Sequence, residues 1–190
     1  MRVISGSARG RRLKEPQGSD IRPTTDRVKE AVFNICQFDI EGRRVLDLFG
    51  GTGQLGIEAM SRGAAAVDIV DAARDSIRLI RENVRAAGLE IRVVQADALA
   101  FLRTCGSYDL IFIDPPYGSG LAEKALAQIK AFDILSNGGI IVCETGAETS
   151  LPVPQPPYFL KKEYRYGKVK LTTFTKDVQS HDDSDLSGQL

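Results

Sequence analysis

Asp114-Pro115-Pro116-Tyr117 is the stretch of this chain whose residue types most clearly could do chemistry. It follows the apolar run 108–113, which predicts a buried strand. Two prolines end such a strand, because neither has an N–H and each fixes its own φ. A carboxylate held at the carboxyl end of a strand, with an aromatic ring beside it, lies where α/β sheets bind ligands. The alternative is a strand-ending turn with a solvated aspartate. These four residues alone do not distinguish a site from a turn, so the other motifs of the chain are needed.

A glycine-rich turn is the second candidate site. Gly51 to Gly56 matches the G-x-G-x-x-G pattern, and Asp71 follows about twenty residues later, as in a dinucleotide-binding fold. Asp47 lies inside the preceding strand, where a pyrophosphate would not favour another negative charge. Asp97 follows a third strand and could accept from an adenine amino group. These acids favour S-adenosylmethionine, which carries a sulfonium and an ammonium but no phosphate, over NAD.

The elements that position these residues alternate along the chain. After a helix whose stripe contains Val28, Val32 and Ile35, the pattern predicts strands and helices in turn. The predicted strands cover 44–49, 66–71, 91–95, 108–113 and 139–144, and the predicted helices 54–62, 74–87, 98–104 and 120–131. Two further strand-like runs, 158–164 and 168–175, predict an antiparallel hairpin. We therefore predict an α/β fold with a doubly wound, mostly parallel, seven-stranded Rossmann-like sheet.

The charge pattern divides the chain into three parts. Residues 1–22 predict a basic N-terminal arm or hairpin, residues 23–176 the main domain, and residues 177–190 a disordered acidic tail. The net charge is zero, but both ends of the main body are basic, which suggests a surface for a polyanion. The alternative is that these charges are ordinary solvated faces. Arg9, Arg11 and Arg12 suit phosphate contacts because residues 1–14 contain five basic residues and no acid.

Several classes of protein are disfavoured by composition. No apolar run approaches the length of a membrane span, and the first residues do not resemble a signal peptide. The three cysteines are widely spaced, which argues against a disulfide framework or a zinc site and suits the cytoplasm. The single histidine, His181, lies in the tail, so a histidine base is not expected.

Several motifs of this chain resemble those of a known protein family. The motif 47–53, Asp-Leu-Phe-Gly-Gly-Thr-Gly, resembles the D-x-F-x-G-x-G motif of class I S-adenosylmethionine-dependent methyltransferases. Residues 114–117 resemble the [DN]-P-P-[YF] motif of enzymes that methylate exocyclic amines of bases. Together with Arg9-Gly10-Arg11 and the segment 22–34, the pattern resembles the RsmD family of 16S rRNA (guanine-N2)-methyltransferases. The departures are Gly51, where the family often has alanine or serine, and Asp71, where glutamate is common.

The resemblance implies a role for each matching residue. S-adenosylmethionine would be the cofactor, 16S rRNA or the small ribosomal subunit the partner, and helix 31 of that RNA the target region. The residues implied in cofactor binding are Thr25, Asp47, Phe49, Gly50, Gly51, Gly53, Asp71, Asp97 and Ala98. Those implied in catalysis are Asp114, Pro115 and Tyr117, with Tyr117 stacking on a flipped base. Those implied in RNA binding are Arg9, Arg11, Arg12, Arg22 and Arg27.

Three alternatives stay open on the sequence. One keeps the chemistry and changes the substrate, to adenine-N6 in DNA or to another RNA, although the chain offers no large domain for reading DNA sequence. Another is an NAD-dependent oxidoreductase, which leaves 114–117 unexplained. The third is a non-catalytic RNA-binding module. We further expect no metal, no membrane contact and a monomer.

Overall fold

The computed structural model describes residues 1–16 and 26–177 of the chain. The predicted acidic tail, apart from Asp177, lies outside the described residues. No helix of the described part is long and apolar enough to cross a membrane.

A seven-stranded sheet forms the centre of the fold, in the order β3-β2-β1-β4-β5-β7-β6. Its strands are β1 Arg44–Asp47, β2 Ala66–Asp71, β3 Arg92–Gln95, β4 Tyr108–Ile113, β5 Leu135–Gly146, β6 Tyr158–Tyr166 and β7 Val169–Lys176. The first five run parallel, and β7 is antiparallel to both of its neighbours. The predicted mostly parallel α/β sheet is confirmed.

Within residues 1–16 and 26–177, five helices cover the sheet: α1 Asp26–Ile35, α2 Gln54–Ser61, α3 Arg74–Ala87, α4 Ala98–Leu102 and α5 Leu121–Ala131. Helices α1, α2 and α3 pack on one face of the sheet, and α4 and α5 pack on the other. Because side chains alternate along a strand, Phe112 of β4 faces the first core while Ile111 and Ile113 face the second. The central strands are therefore buried on both faces, which explains their continuous apolar runs.

The parallel order reverses between β1 and β4, so the chain leaves these two neighbouring strands toward opposite faces. Such a switch point opens a crevice at the carboxyl ends of the strands. The glycine turn follows β1, and Asp114 follows β4, so both predicted motifs lie at this crevice.

The N-terminal arm folds back on itself and on the domain. Arg2 and Arg12 form an antiparallel bridge, and the Val3 N–H donates to the Arg11 carbonyl at 3.0 Å. The arm's apolar residues Val3, Ala8 and Leu13 are buried in the core that contains α1, α2 and α3. This anchoring explains how so short a hairpin is ordered, since an isolated one is marginally stable at best.

Element boundaries differ from prediction mainly at strand ends. The strand β5 is longer than the predicted 139–144, because it starts at Leu135 and continues alongside β7 to Gly146. The strand β1 ends at Asp47 rather than at residue 49, because the chain turns toward the crevice there.

Candidate active site

A cavity of about 560 Å³ lies at the carboxyl ends of the parallel strands. Its size is typical of sites for small molecules and cofactors. Ten of the predicted site residues line it: Asp47, Phe49, Gly50, Gly51, Asp71, Asp97, Ala98, Asp114, Pro115 and Tyr117. The structure therefore brings the two sequence motifs to one cavity.

Asp47 supports the glycine turn from beneath. Its side chain is almost completely buried, and its Oδ2 accepts the Gly56 N–H at 2.9 Å. That N–H belongs to the first turn of α2 and has no partner within the helix. The pKa of Asp47 is raised to about 7, chiefly by burial; the Gly56 N–H opposes the rise, and the nearby charge of Asp71 adds to it. Asp47 is thus a carboxylate whose ionised form a cationic ligand group would stabilise.

Glycine is required at two places around the start of α2. Gly53 precedes α2 in the left-handed conformation, with φ 80°, which residues with a Cβ rarely adopt. Gly56 packs so closely on β2 that an added Cβ would lie 2.5 Å from Ile69 Cγ1. Gly53 is not among the residues that line the cavity, and it packs toward Ile80, so its part in cofactor binding stays a prediction.

Asp71, at the end of β2, connects two loops at the cavity wall. Its Oδ2 accepts the Gly51 N–H at 2.8 Å, and its Oδ1 accepts the Ala73 N–H at 2.8 Å. An ionised carboxylate can accept about four hydrogen bonds, so capacity remains for ligand hydroxyls. Asp97 similarly caps α4 by accepting the Ala100 N–H at 2.8 Å, and its side chain remains exposed at the cavity.

The segment after β4 forms a compact turn. Asp114 is half-buried, Pro115 is buried, and the Pro116 carbonyl accepts the Ser119 hydroxyl at 2.6 Å. Tyr117 is 46% exposed, and its hydroxyl donates to Glu144 Oε1 at 2.8 Å. The aromatic ring is thus available to a ligand and held by its hydroxyl.

Glu144 is a cavity residue that sequence reasoning missed. It lies near the end of β5, is buried, and lines the cavity with Asp114 and Tyr117. The sequence assigned it only to a strand. The available signal was its position as an acid closing an apolar run, which is the position of Asp71 and Asp114 as well.

Some predicted residues lie outside the cavity. Arg9, Arg11 and Arg12 are exposed on the arm, and Arg27 is exposed at the start of α1. Arg22 and Thr25 lie outside the described residues. The neighbouring Val28, from α1, does line the cavity and places the start of that helix at its rim.

A family model and two similar proteins each match nearly the whole of this chain. Residues 1–175 match the family model described as conserved hypothetical protein 95. Ribosomal RNA small subunit methyltransferase D of Escherichia coli K12 is 34% identical over 187 residues, which cover 97% of this chain and 94% of that protein. The Bacillus subtilis protein YlbH is 36% identical over 182 residues, covering 93% of this chain and 99% of its own.

Solved structures agree with the fold. The structure of the Escherichia coli protein YhhF has a TM-score of 0.84 and 33% identity, covering 94% of this chain and 99% of its own. A structure of SMU.776 complexed with S-adenosylhomocysteine has a TM-score of 0.62 at 21% identity, covering 78% of this chain and 48% of its own. At that identity the second likeness concerns the fold alone.

Proposed function

This chain belongs to the RsmD family of ribosomal RNA small subunit methyltransferases, and from that premise we propose that it methylates the exocyclic N2 amine of a guanine in 16S rRNA. The observation that carries this proposal is the meeting of Asp114-Pro115-Pro116-Tyr117 with the glycine turn in one cavity. The methyl donor is S-adenosylmethionine, which agrees with the chain's family.

The residues of the cavity suit that cofactor. Asp47 and Asp71 would hold its ammonium and its ribose hydroxyls, and Asp97 with the Ala98 N–H would hold its adenine. When bound, S-adenosylmethionine supplies an electrophilic methyl group on a sulfonium.

Asp114 is proposed as the residue that prepares the nucleophile. The lone pair of an exocyclic amine is delocalised into the base, so the nitrogen is a poor nucleophile. The Asp114 carboxylate and the Pro115 carbonyl would accept the two amine hydrogens and direct the lone pair into the cavity. Asp114 would also stabilise the positive charge that develops on nitrogen and accept its proton. Tyr117 would stack on the flipped base, which is worth ~1–3 kcal/mol.

The place of Asp47 also argues against the alternative function of an NAD-dependent oxidoreductase. In a dinucleotide fold the pyrophosphate binds the free N–H groups at the start of the helix after the glycine turn. Here the Asp47 carboxylate lies under that turn and accepts the Gly56 N–H. A buried acid at this place would repel a pyrophosphate and attract an ammonium.

The exposed arginines of the arm, together with Arg22 and Arg27, are proposed to bind the phosphates of the RNA. We further propose a cytoplasmic monomer. Cys36, Cys105 and Cys143 are free thiols, as expected in a reducing compartment.

The experiment that tests the proposed function is a methyl-transfer assay on small ribosomal subunits from cells that lack this gene. The purified protein and S-adenosylmethionine should methylate one guanine at N2, which nuclease digestion and mass spectrometry of 16S rRNA would identify. Subunits from cells that carry the gene should accept no further methyl group. Modification of adenine, or of DNA in a parallel reaction, would contradict the proposal.

A further inference from the structure

Glu144 lies beside Asp114 in the sheet. Ile113 of β4 and Cys143 of β5 are register partners, and both face the core that contains α4 and α5. Asp114 directly follows Ile113 at the end of β4, and Glu144 directly follows Cys143 within β5, so the two residues are neighbours where parallel strands lie only about 4.8 Å apart. Both side chains line the cavity. A ligand bound in the cavity would thus meet two adjacent carboxylates.

Two adjacent carboxylates match the hydrogen-bonding edge of guanine. On the N1 and N2 side of that edge guanine presents only donors, the N1–H and the N2 amine, whereas adenine presents an unprotonated N1 that accepts. A carboxylate facing N1 would therefore bind guanine and repel adenine. On the proposed function, from which this inference proceeds, Asp114 is assigned to the N2 amine. We propose that Glu144 accepts the N1–H of the same base and thereby selects guanine.

The surroundings of Glu144 support a ligand-binding carboxylate. Its side chain is buried, and a buried carboxylate is costly unless donors surround it. The Tyr117 hydroxyl is one donor, at 2.8 Å from Oε1. A carboxylate can accept about four hydrogen bonds, so the bond from the Tyr117 hydroxyl does not prevent one from an N1–H. The same contact places the exposed ring of Tyr117 next to Glu144, so one base could stack on the ring while its edge meets the acid.

A purely structural role makes a different prediction. If Glu144 only holds Tyr117, its replacement should slow transfer to every base equally, as Tyr117→Phe should. If Glu144 reads N1, its replacement should change the preference between bases that differ at N1. Glu144→Gln keeps an oxygen that can accept the Tyr117 hydroxyl and adds an amide N–H that can donate to an unprotonated N1.

The test uses 2-aminopurine, which keeps the N2 amine but has an unprotonated N1. Small subunits are reconstituted from ligated 16S rRNA with either guanine or 2-aminopurine at the mapped target, and kcat/KM is measured for each. We expect wild-type protein to prefer guanine at least tenfold, in line with a hydrogen bond to a charged group. Glu144→Gln should lower this ratio by about tenfold or more, and Tyr117→Phe should slow both reactions and leave the ratio unchanged.

Two results would overturn the role of Glu144. One is equal use of guanine and 2-aminopurine by wild-type protein, a measurement that needs no variant to fold. The other is an unchanged ratio in Glu144→Gln that still binds S-adenosylhomocysteine. Failure of wild-type protein to methylate guanine in the subunits would instead overturn the proposed function, so the two failures are distinguishable.

Discussion

At the residue scale, the carboxylates at the carboxyl ends of the parallel strands differ in how deeply they are buried. Asp47, Asp71 and Asp114 each follow or end a parallel strand, yet Asp47 is buried under a helix and Asp114 is only half-buried. Burial penalises the charged form, so Asp47 is the one whose pKa rises to about 7. Position in the fold brings the acids to the cavity, and the local environment determines what each can bind.

The raised pKa of Asp47 predicts a pH-dependent affinity for the cofactor product. A ligand ammonium favours ionised Asp47, so the pKa of Asp47 is lower in the complex than in the free protein. Binding then releases a proton, and affinity for S-adenosylhomocysteine should fall as pH decreases below about 7, approaching tenfold per pH unit. Calorimetry between about pH 5.5 and 7.5 measures this slope. Asp47→Asn should bind with little pH dependence, and an equal slope in this variant would contradict the assignment.

At the element scale, the arm is tied to α2 through buried polar side chains. The two oxygens of Glu58 accept the Ile4 and Ser5 N–H groups at 2.8 and 2.9 Å, and Arg62 Nε donates to the same carboxylate. Lys29 of α1 lies 3.8 Å from it and donates to the Arg2 carbonyl. The basic arm, α1 and the helix after the glycine turn therefore meet at Glu58.

Glu58→Ala should strongly destabilise the protein. The change would bury the Lys29 ammonium without its carboxylate and would remove the acceptor of two arm N–H groups. Breaking a buried pair in this way costs about 3–5 kcal/mol. Urea denaturation followed by circular dichroism measures the free energy of unfolding. Glu148→Ala, which removes an exposed ion pair with Arg165, is the control and should leave the midpoint unchanged. Equal midpoints for the two variants would contradict the role of Glu58.

Sequence reasoning was most accurate where periodicity is strong and local. The strand Ala66–Asp71 and the helix Arg74–Ala87, closed by left-handed Gly88, were predicted at the bounds observed. The buried contacts of Glu58 and Lys29 could not be predicted, because they join residues tens of positions apart. Glu144 was missed for the same reason, since its neighbour Asp114 is close only through strand pairing. The aspartates of the cavity, in contrast, were found because they belong to recognisable motifs at or near strand ends.

At the scale of the whole molecule, charge is distributed unevenly around the sheet. The exposed arginines of the arm belong to the side of α2 and α3, while Lys124 and Lys130 are exposed on α5 at the opposite face. A protein without net charge can still bind a polyanion when its cations are clustered. The arm is such a cluster.

Replacing Arg9, Arg11 and Arg12 by glutamine should weaken RNA binding and make it less sensitive to salt. Each lost phosphate contact reduces the slope of log K against log salt by roughly 0.7–0.9, so the slope should fall by about 2–3. Filter binding to 16S rRNA over a range of KCl concentrations measures it. The matched control replaces three exposed cations of the opposite face by glutamine: Arg103, which follows α4, and Lys124 and Lys130 of α5. It should keep the wild-type slope. An unchanged slope in the arm variant would contradict the proposal that the arm binds RNA.

The central claim is that Asp114 activates an amine beside a bound methyl donor, and Asp114→Ala tests it most directly. Single-turnover methylation of small subunits should slow by roughly a hundred- to ten-thousandfold, as expected on loss of a general base. Calorimetry should show S-adenosylhomocysteine binding within about twofold of wild type. Asp109→Ala, at the other end of the same strand, where the carboxylate accepts the Arg44 N–H, is the control and should methylate at close to the wild-type rate. Near-normal methylation by Asp114→Ala would contradict the account.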